Sequence, residues 1–87
     1  MVEVNYSPRF LRKLKSLDLN FQEEVIEKID LFKNSKNHKS LKVHKLHGIF
    51  KNCYSFAVNY KTRIVFEHIS KNTVVLLSIG DHNVYKK

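Results

Sequence analysis

Cysteine, glycine and proline are all scarce in this chain of 87 residues, which has one cysteine, two glycines and one proline. The single cysteine, Cys53, excludes a disulfide framework within the chain and fits a reducing compartment, so we expect a cytoplasmic protein. The chain shows no repeat, no low-complexity tract and no interdomain linker. Its length leaves room for one compact domain, which we place at residues 1–87.

Long hydrophobic runs are also absent, although 43% of the residues are hydrophobic, six of them Phe and four Tyr. That proportion is too high for a disordered tail. No stretch approaches the roughly 18 apolar residues that a membrane span needs. The segment Met1–Asn5 has neither the basic start nor the apolar core of a signal peptide. We therefore expect no membrane partner.

Acidic residues are scarce in the C-terminal part of the chain. Residues 1–32 contain five Lys or Arg and six Asp or Glu. Residues 33–87 contain eleven Lys or Arg but only two Asp or Glu, and all five histidines lie in this part. A basic segment of this kind attracts polyanions, and nucleic acid is the first candidate partner. The alternative is a domain whose lysines only keep it dispersed. An anionic membrane is disfavoured because the basic residues do not lie on an amphipathic helix.

Helical periodicity dominates the N-terminal third, after a short alternating segment at residues 2–6 that predicts a strand. Ser7 followed by Pro8 is typical of a helix N-cap and first helical position. Two amphipathic stripes follow, at Phe10, Leu11, Leu14 and Leu17 and at Phe21, Val25, Ile29 and Phe32. Asn20 and Glu23 have the spacing of a capping box, so we expect Asn20 to cap the second helix. The two helices form a hairpin.

Strand periodicity replaces helical periodicity beyond a polar loop at residues 34–40. Four alternating or apolar runs predict strands, at residues 41–44, 54–60, 63–69 and 73–79. The last run is almost continuously apolar, which indicates a central strand covered on both faces. Lys71 and Asn72 are typical of a tight hairpin turn. The sequence thus predicts an α+β fold in the order β-α-α-β-β-β-β, with a helical hairpin on one face of a twisted, mainly antiparallel sheet.

Recognisable metal-ligand patterns are missing from the chain. His44 and His47 are three residues apart, but the prediction places them in a strand and a turn, and there is no HExxH or CxxC motif. Glu67 and Asp81 are the only acids after residue 32, which argues against a metal-dependent nuclease. Cys53 has no activating neighbour and is expected to be an inert thiol. We expect no cofactor and no metal.

One reaction is still feasible with histidine, arginine and tyrosine, because RNA carries its own nucleophile in the 2′-OH. Cleavage then needs proton transfer at two oxygens and a cation beside the phosphate. His82 is a candidate for proton transfer, Arg63 for phosphate binding and Tyr85 for orienting the substrate. The alternatives are a surface cation at Arg63, a turn-stabilising histidine at His82 and a hydrophobic C-terminal contact at Tyr85.

Four segments resemble the RelE/ParE superfamily of bacterial toxins from toxin–antitoxin modules. They are Leu46-x-Gly48, Cys53-Tyr54, Arg63-Ile64-Val65-Phe66 and Ile79-Gly80-Asp81-His82-Asn83-Val84-Tyr85. The resemblance covers nearly the whole chain. It implies a toxin that cleaves messenger RNA, usually on the ribosome, and so inhibits translation. It also implies an acidic antitoxin as a partner, alongside messenger RNA and the ribosome.

The resemblance also implies roles for individual residues. Arg63 matches a phosphate-binding arginine of the RelE and YoeB branches, His82 is similar to the terminal catalytic histidine of the YoeB and YafQ branches, and Tyr85 matches a recurrent C-terminal aromatic. His47 is the choice for a second acid/base group. The expected RNA-binding residues are Lys42, His44, Lys45, Lys51 and Lys61.

Four positions depart from the nuclease branches. Ser55 and Ala57 stand where RelE has lysines, and Ala57 and Lys61 stand where YafQ has a histidine and an aspartate. Ser40 stands near a glutamate of YoeB. The ParE branch, which poisons DNA gyrase and lacks the nuclease residues, is therefore kept as an alternative function, as is a non-catalytic binding module.

Overall fold

Two helices and five strands are formed by residues 1–48 and 52–81, which are the residues that the computed structural model describes. The elements are β1 (Glu3–Tyr6), α1 (Pro8–Ser16), α2 (Leu19–Phe32), a 3-10 turn (Ser35–Asn37), β2 (His44–Lys45), β3 (Cys53–Ala57), β4 (Arg63–Ser70) and β5 (Thr73–Gly80). The predicted α+β class and element order are confirmed.

The sheet has the strand order β1-β5-β4-β3-β2. β1 pairs with β5 in parallel, while β5, β4, β3 and β2 are joined by antiparallel pairing. The apolar run at residues 73–79 is therefore an interior strand, as predicted. The β4–β5 hairpin turns at Lys71 and Asn72, also as predicted.

Ser7 joins α1 to the sheet. Its Oγ accepts a hydrogen bond from the Phe10 N–H at 3.0 Å, which caps α1, and its hydroxyl donates to the Leu77 carbonyl at 3.3 Å. Leu77 has no partner on β4, because Val65 pairs with Ser78 and Phe66, the next residue of β4, pairs with Leu76. Ser7 thus contacts a carbonyl at the irregular position in β5, and its predicted capping role is confirmed.

The cap of α2 is Asp18, so the prediction of a cap at Asn20 is wrong. The Phe21 N–H donates to Asp18 Oδ1 at 2.9 Å, and the helix begins at Leu19. A carboxylate satisfies a free N–H group at the helix start and also interacts favourably with the positive end of the helix dipole. An aspartate available two residues earlier therefore displaces an asparagine from the cap.

Replacing Asp18 with alanine is expected to lower the free energy of unfolding by about 0.5–2 kcal/mol, because the Phe21 N–H loses its acceptor. Asn20→Ala is the matched control and is expected to change stability by less than about 0.5 kcal/mol. Urea unfolding of both variants, followed by circular dichroism, measures the difference. Equal losses in the two variants would contradict the assignment of the cap.

The core lies between the helices and one face of the sheet, and Phe32 of α2 is at its centre. The Phe32 ring stacks on Phe56 at a centroid distance of 4.4 Å, meets Phe66 edge-on at 4.9 Å and stacks on His38 at 4.6 Å. Buried residues from α1, α2, β3, β4 and β5 complete this cluster. The helices and the core thus cover one sheet face, which leaves the opposite face to carry the candidate site.

Candidate functional site

The sheet face opposite α1 and α2, here called the outer face, is identified from the strand register. Tyr54 and Phe56 pack in the core, so the side chain of Ser55 between them lies on the outer face. Residues paired across strands share a face. Ser55 pairs with His44 on β2 and with Val65 on β4, which in turn pairs with Ser78 on β5. These four residues form one row across the outer face.

Exposure changes along this row. Ser55 is 0% exposed and Val65 is 2% exposed, whereas Ser78 is half-buried and His44, on the edge strand, is exposed. The imidazole of His44 is therefore the solvent-accessible end of the row.

The ring of His44 is held by two contacts. Its Nδ1 lies 2.9 Å from the Lys42 carbonyl oxygen, and its Nε2 lies 3.5 Å from the Ser55 hydroxyl. A carbonyl oxygen can only accept, so we assign the proton of the neutral ring to Nδ1, which leaves Nε2 as an acceptor. A neutral imidazole in this tautomer can take a proton from a hydroxyl group at Nε2.

The backbone at Lys42 contributes to this arrangement. Lys42 has a φ of 59°, in the left-handed region, and is the one non-glycine residue with positive φ in the described part of the chain. Its carbonyl is the group that His44 Nδ1 contacts. The predicted strand at residues 41–44 is wrong for residues 41–43, since β2 spans His44–Lys45. A backbone conformation that lysine adopts only at some cost is thus located beside the best-oriented histidine of the outer face.

Arg63 lies on the outer face in the next row, paired with Ala57 and Gly80. Its Nη1 donates to the carbonyls of Asn59, Tyr60 and Thr62 at 2.7, 3.0 and 3.2 Å. These carbonyls belong to the β3–β4 turn. Arg63 therefore fixes the turn and at the same time brings a permanent positive charge to the row beside His44.

The other predicted site residues are distributed over the surface. Lys42 and Lys61 are exposed, as is His47 after β2. Lys45 pairs with Tyr54 and so shares the face of the sheet that packs on the helices, opposite to His44. The structure thus places His44 and Arg63 on the same outer face, in neighbouring rows on β2 and β4, and leaves Lys45 on the other side. The remaining predicted residues, Lys51, His82 and Tyr85, lie outside the described residues.

Cys53 also lies on the outer face, in the row of Glu67. Burial of the thiol raises the pKa of Cys53, and the negative charge of Glu67 raises it further. Because the thiolate is the reactive form, both effects keep the sulfur unreactive at neutral pH. This agrees with the inert thiol expected from the sequence.

Two basic residues of α1 reach the outer face, and the sequence reasoning missed them. Arg9 contributes to a cavity of about 320 Å³ with Cys53, Val65 and Ser78, and Arg9 and Lys13 line a smaller cavity of about 180 Å³ beside Ser78. The signal was present in the sequence, because α1 has four basic and no acidic residues while α2 has four acidic and one basic. Counting residues 1–32 as one near-neutral segment concealed this difference.

The described residues contain no group of three or more His, Cys, Asp or Glu side chains that could hold a metal ion. Within residues 1–48 and 52–81, neither helix is long and apolar enough to cross a membrane. Among the described residues, the outer face thus carries the oriented imidazole of His44 and the guanidinium groups of Arg63 and Arg9, besides the Cys53–Glu67 pair.

This architecture defines a class of small α+β protein, in which a helical hairpin covers one face of a five-stranded sheet and basic groups line the other. Solved structures with the same fold include several toxin–antitoxin complexes. The RelBE2 complex from Mycobacterium tuberculosis matches with a TM-score of 0.72 and 17% identity over 93% of this chain and 98% of that one.

Two further complexes show the same likeness. The YoeB–YefM complex from Staphylococcus aureus gives a TM-score of 0.71 at 17% identity, covering 94% of this chain and 98% of that one. The archaeal RelE–RelB complex from Pyrococcus horikoshii gives a TM-score of 0.72 at 15% identity, covering 95% of this chain and 97% of that one. No protein-family profile and no curated protein sequence matches the chain. The chain therefore has the fold of the RelE and YoeB toxins.

Proposed function

We propose that this protein is the toxin of a type II toxin–antitoxin system and cleaves messenger RNA without a metal ion, at the ribosome in the cytoplasm, so that translation stops. The observation that carries the proposal is the oriented imidazole of His44 on the same sheet face as Arg63. The shared fold with RelE and YoeB toxins supports it, and so does the net charge of +8, which suits a polyanionic substrate.

In the proposed reaction, Nε2 of His44 takes the proton of the ribose 2′-OH. The 2′-oxygen then attacks the adjacent phosphorus, the P–O5′ bond breaks, and the products are a 2′,3′-cyclic phosphate and a 5′-OH. Arg63 stabilises the negative charge that accumulates on the phosphate oxygens, since a guanidinium matches two of them at once. The leaving 5′-oxygen needs a proton, and His82 is the proposed donor, with Tyr85 or His47 as the alternatives.

Few acid/base groups are described on the outer face, so the way in which the RNA is held matters for the reaction. Ser55, in the row of His44, and Ala57, in the row of Arg63, cannot hold a phosphate by charge. Exposed lysines nearby, Lys42 and Lys61, and Arg9 on α1 are the proposed contacts to the RNA backbone. A site with so few acid/base groups depends strongly on how the substrate is held, so we propose that the ribosome orients the RNA.

The proposed protein partner is an acidic antitoxin. Several structural relatives, RelBE2 and YoeB–YefM among them, were solved as toxin–antitoxin complexes. In this chain the excess of eleven basic over two acidic residues after position 32 would attract an acidic segment that folds on binding.

Translation and DNA supercoiling assays, run side by side on purified protein, test the proposed function. We expect translation to stop, with messenger RNA cut at positions that carry 2′,3′-cyclic phosphate ends, while gyrase supercoiling is unaffected. Blocked supercoiling with intact messages would instead support the ParE-like alternative. No effect in either assay, with tight binding of an acidic peptide, would support a non-catalytic binding module.

A further inference from the structure

Tyr60 is an unusually exposed aromatic residue at the tip of the β3–β4 turn. Its side chain is 87% exposed, whereas Phe56 and Phe66 on the flanking strands are 0% and 1% exposed. An aromatic ring in water forfeits the stabilisation that its burial would supply. A ring held in solvent in this way therefore suggests a contact that forms only when a ligand is bound.

The turn that carries Tyr60 is held in one conformation. The Val58 N–H donates to the Thr62 carbonyl at 2.9 Å, and Asn59 Oδ1 accepts from the N–H groups of Lys61 and Thr62, both at 2.9 Å. Arg63 Nη1 adds bonds to the carbonyls of Asn59 and Tyr60. Binding at Tyr60 therefore costs little backbone ordering, because the turn is already closed by these bonds.

A cavity of about 270 Å³ lies beside the turn and is positively charged. Tyr60 and Arg63 line it together with Lys28 of α2 and Lys42, and its lining contains no acidic residue. Lys61, next to Tyr60 in the chain, is exposed as well. An aromatic face next to several cations is the combination with which proteins bind single-stranded nucleic acid, since bases stack on the ring and phosphates meet the cations.

We propose that Tyr60 stacks on a base of single-stranded RNA and that Lys28 and Lys42 hold the adjoining phosphate, which makes this cavity a nucleotide subsite beside the cleavage site. The inference rests on the proposed function. Ala57 and Arg63, next to the turn, are two residues along their strands from the row of His44, or about 7 Å. Neighbouring nucleotides of one strand can therefore occupy both places.

The size of the cavity favours a nucleotide over a protein segment. A helix has a diameter of about 10 Å with its side chains and needs a long groove, whereas the space between Tyr60, Lys28 and Lys42 is closed on the sheet side by Leu41 and Val58. A single base with its phosphate matches the ring of Tyr60 and the ammonium groups of Lys28 and Lys42. The experiment must therefore distinguish the binding of RNA at this cavity from the binding of an acidic protein segment.

The test compares Tyr60→Ala and Tyr60→Phe with wild type in two assays. Binding is measured by the fluorescence anisotropy of a labelled single-stranded oligoribonucleotide and of a duplex of the same length, and cleavage is measured as kcat and KM on messenger RNA bound to ribosomes. We expect Tyr60→Ala to weaken single-strand binding by about 5- to 100-fold and to raise KM more than it lowers kcat. Tyr60→Phe keeps the stacking surface and should retain binding. Duplex binding should change little, because paired bases do not stack on the ring.

Ile69→Ala is the matched control, since Ile69 is another exposed apolar residue, 59% exposed, near the opposite hairpin. It should bind and cleave as wild type does. If wild type cleaves RNA and Tyr60→Ala binds the single strand equally well, the inference is wrong and the proposed function stands. If Tyr60→Ala loses affinity for an acidic peptide but not for RNA, the surface belongs to a protein partner and the inference is wrong. If wild type neither binds the single strand nor cleaves messenger RNA in the translation assay, the proposed function itself fails.

Discussion

His44→Ala is expected to lower the rate of RNA cleavage by about 10²- to 10⁴-fold, the usual contribution of a positioned general base. The reason is geometric. Nδ1 of His44 is held by the Lys42 carbonyl at 2.9 Å, so Nε2, which has only the longer 3.5 Å contact to the Ser55 hydroxyl, is the nitrogen that accepts the proton of the 2′-OH. Single-turnover cleavage of a labelled RNA, followed by gel electrophoresis, measures the loss.

His47→Ala tests the alternative proton donor, because His47 is also an exposed histidine, three residues further along the chain. Since His82 is the proposed donor, we expect the cleavage rate of His47→Ala to stay within a few-fold of wild type in the same assay. The substitution at the exposed His47 should change the free energy of unfolding by no more than about 0.5 kcal/mol. His44→Ala also removes the contact to the buried Ser55 hydroxyl, so its cleavage is measured well below its unfolding temperature. A large loss at His47 with little loss at His44 would reverse the assignment of the base.

Arg63→Ala is expected to lower cleavage by about 10²- to 10³-fold, as removal of a group that stabilises transition-state charge does. A second effect follows from the structure. Three turn carbonyls, at Asn59, Tyr60 and Thr62, lose the donor that now binds them, so the β3–β4 turn should loosen. Thermal unfolding, together with cleavage below the unfolding temperature, separates this effect from the chemical one.

Arg63→Lys sharpens the comparison, because lysine keeps the positive charge but lacks the planar fork that reaches several acceptors. We expect it to recover only part of the activity. Arg12→Ala, at an exposed position of α1, is the control for a general loss of positive charge. Cleavage by Arg63→Ala at the wild-type rate, in a folded protein, would exclude Arg63 from the reaction.

The element order was predictable because it depends on local patterns. Apolar residues at helical spacing, such as Val25, Ile29 and Phe32, produce a buried helix stripe wherever the helix packs, and all three are buried. The continuous apolar run at residues 73–79 predicted a strand inside the sheet, and β5 has a paired neighbour on each side. Where the prediction failed locally, at the cap of α2, two candidate side chains lay within one turn and the charged one prevailed.

The outer face was less predictable because it depends on register. Lys45 and His44 are neighbours in sequence, and both were expected to bind RNA, yet successive strand residues point to opposite faces. Only the pairing of His44 with Ser55 determines which of them lies with Arg63. The positive φ of Lys42, which sets the carbonyl against His44, has no signature in a lysine-rich loop.

The sequence by itself determined the fold class, the basic character of the chain after residue 32 and the small number of groups that can do chemistry there, since composition and periodicity are properties of short segments. The tertiary structure alone decided which of these groups lie on the same face of the sheet. It placed His44 and Arg63 on one face, turned Lys45 to the other, added Arg9 from α1 and left Tyr60 in solvent above a basic cavity. The physical reason is that strand pairing and turn hydrogen bonds join residues far apart in the chain, and a shift of one residue in register would exchange the two faces.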